Sequence, residues 1–244
     1  MAYRRTLMAG NWKMHGLKAD TAWVEAFARE AASPACEVVL CPPATLLDAL
    51  RAPLAARSIA LGAQDCSPEP EGAHTGDISA SMLADLGCSY VIVGHSERRS
   101  GHGESDGLVR RKAEAAIRAG LMPIICVGEQ RAESEAGRAE ATVLAQLAAS
   151  LPEAPADSII IAYEPVWAIG TGLTAGPQEA QAMHAAIRAA FPGHDRESLR
   201  ILYGGSVKPD NGAALIACPD VDGALVGGAS LDPQAFARLV NLAS

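Results

Sequence analysis

Rings and positive charge are both scarce. Aromatic residues make up 4% of the chain, and 20 basic residues face 28 acidic ones, for a net charge of −8. Such a surface does not fit nucleic acid or an anionic membrane, and an anionic ligand must be held by local chemistry against the overall field. No apolar run reaches the length of a membrane-spanning helix. Met1-Ala2-Tyr3-Arg4-Arg5-Thr6 leads into a strand-like segment without the apolar core of a secretory signal. Cys36, Cys41, Cys66, Cys88, Cys126 and Cys218 include no C-x-x-C pair, so buried thiols of a cytoplasmic protein are expected in place of disulfides or a zinc site. His15, His74, His184 and His194 lack ligand-like spacing and are assigned no function. No Pro/Gly/Ser-rich linker divides the chain, so residues 1–244 are expected to form one domain.

Short, almost wholly apolar runs recur instead: 6–10, 37–41, 59–63, 90–93, 122–127, 159–163, 200–203 and 223–226. Continuous apolar character, as in Val38-Val39-Leu40 or Ile159-Ile160-Ile161-Ala162, fits parallel strands covered on both faces. Amphipathic stretches at 21–32, with Asp20 as N-cap, at 106–119, and at 177–190 behind an N-terminal proline lie between such runs. Eight strand-plus-helix units of about 30 residues predict an α/β fold, a closed (β/α)8 barrel of parallel strands inside a ring of helices. An open doubly wound sheet is the rival, but Ala9-Gly10-Asn11-Trp12-Lys13, with no Gly-x-Gly-x-x-Gly, follows the first strand. Barrel chemistry collects past the carboxyl ends of the strands.

Those ends carry reactive groups. Strand one delivers Asn11 and Lys13; the lysine reads as an anion-binding cation, a Schiff-base amine or a solvated loop residue. Strand four ends at Gly94-His95-Ser96-Glu97, where a helix start would oppose protonation of the imidazole. Strand six ends in Glu164, a carboxylate costly to bury and suited to act as a general base with a raised pKa. After it, 165–175 forms a glycine-bearing, apolar-tipped loop that reads as a lid. Gly204-Gly205-Ser206 and Gly227-Gly228 follow the last two strands and match the amide-lined phosphate site that barrels build there.

Ala9-Gly10-Asn11-Trp12-Lys13, Gly94-His95-Ser96-Glu97-Arg98-Arg99, Cys126-Val127-Gly128-Glu129, Tyr163-Glu164-Pro165-Val166-Trp167-Ala168-Ile169-Gly170-Thr171-Gly172, Tyr203-Gly204-Gly205-Ser206 and Val226-Gly227-Gly228 occur in this order. Over essentially its whole length the chain resembles the triosephosphate isomerase family. The resemblance implies a TIM barrel and a cofactor-free aldose–ketose isomerase without a metal site. It would interconvert dihydroxyacetone phosphate and D-glyceraldehyde 3-phosphate through an enediolate, in glycolysis and gluconeogenesis. Glu164 would be the base, neutral His95 the electrophile, Lys13 the cation and Asn11 the orienting group. Gly170, Ser206, Gly227 and Gly228 would bind phosphate. Glu97 would fix Lys13, with Ser96 and Thr75 as further supports. Tyr203 and Ser206 would latch the closed lid, and Glu129 would hold Trp167 when it is open. Residues 65–79 would insert into a second subunit of a homodimer, placing Thr75 beside that subunit's Asn11 and Glu97.

Departures from the family pattern are Asp65, Asp77, His102 and Leu173. The first two touch details of the dimer contact, His102 removes an apolar ring, and Leu173 alters the lid hinge. An isomerase of a four-carbon ketose phosphate is an alternative that only His102 and Leu173 support. A non-catalytic phosphate-binding scaffold would require loss of Glu164, His95 or Lys13, and all three are present.

Overall fold

The computed structural model describes residues 4–31, 34–169, 175–193 and 195–243. Within them the apolar runs become β1 (Leu7–Asn11), β2 (Glu37–Cys41), β3 (Ala60–Ala63), β4 (Tyr90–Val93), β5 (Met122–Val127), β6 (Ile160–Tyr163), β7 (Arg200–Tyr203) and β8 (Gly223–Val226). Each pairs in parallel with the next, and β8 returns to β1 with Gly223 opposite Leu7, closing the barrel and excluding the open sheet. β1 starts and ends one residue later than the pattern indicates, which makes Asn11 part of the strand.

Both faces of the strands are buried, which explains the lack of alternation in the sequence. Leu7, Ala9, Val39, Ile92, Ile124, Cys126, Ile160, Ala162 and Leu202 pack inside the barrel. Their neighbours Met8, Val38, Leu40, Val91, Ile125, Ile161 and Ile201 pack outward against the helices. At the amino ends of the strands, Arg200 Nη1 meets Glu37 Oε2 at 2.7 Å, and Tyr90 hydrogen-bonds the other Glu37 oxygen. These polar groups occupy the floor, leaving the reactive groups at the opposite mouth.

The outer helices are α1 (Trp23–Glu30), α2 (Leu47–Ala55), α3 (Ala80–Asp85), α4 (Ser96–His102), α5 (Asp106–Arg118), α6 (Arg131–Glu135), α7 (Ala139–Ser150), α8 (Pro177–Ala190), α9 (Pro209–Ile216) and α10 (Pro233–Leu242). Ser105 caps α5 by accepting the Leu108 N–H, Asp232 caps α10, and proline opens α8, α9 and α10. The helix expected from Thr21 starts at Trp23, because a 3-10 turn over Lys18–Ala22 precedes it. Asp20 is therefore not its N-cap; its carboxylate accepts the Leu17 N–H and closes that turn.

Lys112 on α5 and Arg188 on α8 are buried where helical periodicity alone predicts polar surface. Each is tolerated because carboxylates meet it: Lys112 contacts Asp65 and Glu104, and Arg188 contacts Asp220 and Asp222. All six cysteines are free thiols, five buried and Cys218 half-buried. Among the described residues, no helix is long and apolar enough to cross a membrane.

Candidate active site

Seven of the residues singled out in the sequence, Asn11, Lys13, His95, Glu164, Ser206, Gly227 and Gly228, line one cavity of about 370 Å³ at the carboxyl mouth of the barrel. Gly170, like the rest of the lid tip with Leu173, and His194 lie outside the described residues.

Strand β6 delivers Glu164 and the barrel buries it almost completely, at 2% exposure. The partner that the sequence did not reveal is double. His95 Nε2 stands 2.9 Å from Oε1, and the Ser96 N–H donates to Oε2 at 2.9 Å. Gly204 lets β7 close in from beneath, since a Cβ there would sit 2.9 Å from Glu164 Cγ. Burial pushes the carboxyl up, but His95, the Ser96 amide and Lys13 more than offset it, so Glu164 titrates below the ordinary carboxylate value. The upward shift expected from burial alone is thus overturned: the carboxylate is desolvated but not deserted.

His95 leads into α4 and accepts the Glu97 N–H on Nδ1 at 3.2 Å, which leaves its proton on Nε2, facing Glu164. This is the expected helix-start contact. Burial pushes the imidazole down, yet the Glu164 carboxylate, with Glu97 behind it, raises it above the ordinary histidine value. The downward shift expected from the helix start is therefore corrected for this arrangement, because the opposing carboxylate lies in direct contact. Glu164→Gln should remove that pull and leave burial in control. The His95 imidazole, followed by NMR titration, should then fall below its ordinary value; a pKa still above it would mean that Glu164 is not the cause.

Lys13 sits at φ 53°, a strained backbone for a non-glycine residue. Three contacts hold it there. Its N–H donates to Asn11 Oδ1 at 2.9 Å, Gln64 Nε2 donates to the Lys13 carbonyl at 2.8 Å, and Nζ pairs with Glu97 Oε1 at 2.6 Å. The expected Glu97–Lys13 link is present. Gln64, which also donates to Cys41 O at 2.9 Å, received no role from the sequence, because a lone glutamine in a strand-end motif carries no chemical signature. Arg99 was overlooked in the same way, though it ties the Gly94 carbonyl to that of Cys126. Lys208 also lines the cavity, and its basic character two residues past Gly-Gly-Ser was the available signal. Cys126 packs against Glu164, and burial drives its thiol well up, so it stays neutral beneath the base.

Of the expected latch residues, Trp167 Nε1 donates to Glu129 Oε1 at 2.6 Å, and Tyr163 OH donates to the same oxygen at 3.2 Å. Tyr203 is fully buried beside Tyr163 and His184. Thr75 is exposed in the loop after β3 and is not among the cavity-lining residues of this single chain. Asp65 anchors that loop through Lys112 and Arg98, and Asp77 Oδ2 accepts from Ser67 at 3.2 Å. His102 is exposed at the end of α4 and lines the groove beside that loop.

Comparison with known proteins matches residues 6–243 to the family model described as Triosephosphate isomerase. The triosephosphate isomerase of Acidiphilium cryptum is 54% identical over 249 aligned residues, covering 98% of both chains. That of Rhodopseudomonas palustris is 54% identical over 240, covering 95% of each. The crystal structure of the triosephosphate isomerase from Bartonella henselae superposes with a TM-score of 0.90 at 42% identity, again covering 98% of both chains. A closed barrel that gathers a buried glutamate, a histidine and a lysine beside two Gly-Gly turns agrees with a match running from residue 6 to residue 243, and the chain belongs to the triosephosphate isomerase family.

Proposed function

We propose that the cavity interconverts dihydroxyacetone phosphate and D-glyceraldehyde 3-phosphate, with Glu164 as the base and His95 as the electrophile. The observation that carries this reading is the pair itself: a buried carboxylate 2.9 Å from an imidazole Nε2 in a cavity shared with Lys13. Glu164 takes a proton from the carbon next to the carbonyl. The C–H electrons form the enediolate double bond, and the carbonyl oxygen becomes the anion. His95 donates Nε2–H to that oxygen and moves protons between the two oxygens, and Glu164 returns its proton to the neighbouring carbon. Lys13, held by Glu97 and oriented by Asn11, offsets the developing charge. Ser206, Gly227 and Gly228 hold the phosphate, joined by Gly170 from the lid. Substrate lying between Glu164 and His95 would take the place of their direct contact, and with it the mutual pKa shifts would be relieved.

A coupled assay with glyceraldehyde 3-phosphate should show rapid turnover without added metal. A metal requirement, or preference for a four-carbon substrate, would overturn this. The four-carbon alternative is not favoured: relatives matched over nearly their full length are triosephosphate isomerases, and His102 stands outside the cavity lining. The reaction belongs to glycolysis and gluconeogenesis. Free thiols throughout support a cytoplasmic setting.

The same reading makes 1–244 one catalytic domain, 165–175 the lid and 65–79 a dimer loop. Met14 and Leu17, which follow β1 and are 94% and 76% exposed, support a surface that such a loop from a second subunit would cover. So does a groove of about 800 Å³ running from Lys13 to Lys112 along that loop. The partner's Thr75 would enter it and brace Asn11 and Glu97. Light scattering should return twice the chain mass of 25.2 kDa; a monomer of full activity would remove the dimer from the reading.

A further inference from the structure

We infer that Gln146, on α7, is a positioning residue for the base Glu164, acting as a substitute for a strand that is missing beside the end of β5. The inference rests on the isomerase reading above and adds to it a residue that touches neither substrate nor reacting atoms.

The end of β5 outruns its neighbour. β4 pairs with β5 as far as Val93 opposite Ile125 and then turns through Gly94 into α4. The continuation of β5 runs on beside β6: the Glu164 N–H donates to Val127 O at 2.8 Å and the Val166 N–H to Glu129 O at 3.2 Å. Successive residues of a parallel ladder aim their backbone groups to opposite sides. Val127 and Glu129 serve β6, so Cys126 and Gly128 aim theirs at the space that β4 has left. Two side chains answer them. Arg99 Nη2 donates to Cys126 O at 3.1 Å. Gln146 supplies Gly128 with a whole peptide's worth of partners: the Gly128 N–H donates to Oε1 at 2.9 Å, and Nε2 donates to Gly128 O at 2.9 Å. A primary carboxamide carries the same donor and acceptor as the backbone it replaces. Ser150, one turn further along α7, accepts from Arg99 at 3.0 Å, so one face of this helix braces the exposed edge.

Gly128 passes that constraint directly to the base. A Cβ at this position would collide with the Glu164 carbonyl oxygen and lie 3.1 Å from Glu164 Cβ, so the two backbones are in contact. On the other side a cavity of about 170 Å³, lined by Ser96, Arg99, Cys126, Gly128, Gln146 and Glu164, opens on the gap. Without the carboxamide, the part-buried Gly128 N–H and carbonyl lose their protein partners, and this stretch has room to move towards the cavity. Glu164, resting on it, moves too, and a general base displaced by a fraction of an ångström loses rate far more than it loses binding.

Gln146→Met keeps the length of the side chain and removes both hydrogen bonds. Its kcat should fall about tenfold to thirtyfold. KM and inhibition by inorganic phosphate should stay within about twofold, because the phosphate loops follow β7 and β8 on another part of the rim. A purely structural role would instead lower Tm and leave kcat of the folded enzyme unchanged. Gln146→Glu supplies a second readout that does not depend on the first variant folding well. Its carboxylate repels Gly128 O, whereas the protonated acid again offers one donor and one acceptor. The ratio of its kcat to wild type should therefore rise towards one as pH falls from about 8 to about 5. Given a wild type that turns over triose phosphate, a Met variant with unchanged kcat, or a Glu variant whose ratio is flat with pH, overturns the inference. A wild type that does not turn it over removes the isomerase reading itself, and this inference falls with it.

Discussion

Glu164→Asp should bind substrate almost as before and turn it over about a hundred- to a thousandfold more slowly. The carboxylate is poised from several directions at once: Val127 at the end of β5 accepts its backbone N–H, Gly204 holds the carbonyl of the preceding Tyr163 and closes beneath Cγ, and His95 and the Ser96 amide fix the two oxygens at 2.9 Å each. Shortening the side chain by one methylene leaves the backbone in place and draws the oxygens back by about 1.5 Å. Proton transfer between heavy atoms does not tolerate such a gap, but phosphate binding by the backbone amides of the glycine turns does. The loss should appear in kcat and hardly in KM. A variant with kcat within tenfold of wild type would mean that another group abstracts the proton.

Lys13→Met should fail mainly in binding. The chain carries a net charge of −8, and Lys13, with Lys208, is one of two cations lining the cavity that holds His95 and Glu164. Removing it sets a dianionic ligand against an unhelpful field, and affinity for a phosphorylated inhibitor should weaken at least about a hundredfold. kcat/KM should fall further, because the enediolate loses the same cation. Folding should be little affected: methionine meets the same backbone strain as lysine at φ 53°, and Glu97, whose side chain is 56% exposed, returns to water when its partner goes. Inhibitor affinity that does not change on this substitution would reject the electrostatic role.

The sequence was most legible where a single chemical demand repeats. Eight apolar runs name eight strands, since a strand covered on both faces can use little else, and their carboxyl ends name the reactive side chains by type. It was least legible where a residue's role depends on what another segment brings to it. Lys112 and Arg188 look like surface charge until Asp65 and Glu104, or Asp220 and Asp222, are folded over them. Gln64 and Gln146 look unremarkable until each meets backbone carbonyls at the strand ends of other segments.

The pKa readings divide on the same line. Burial of Glu164 at the end of an apolar strand follows from its neighbours in the chain, and an upward shift would follow from burial alone. His95 lies 69 positions earlier in the chain than Glu164, and the barrel places its Nε2 2.9 Å away. That contact reverses both shifts, because the interaction of two charges depends on their separation in space and on the water excluded between them, neither of which is a property of either segment. By itself, then, the order of residues determined the barrel and the cast of side chains at its mouth. Only closure of β8 onto β1 decided their distances, and with the distances the protonation of the base, the seat of the lysine and the brace behind them.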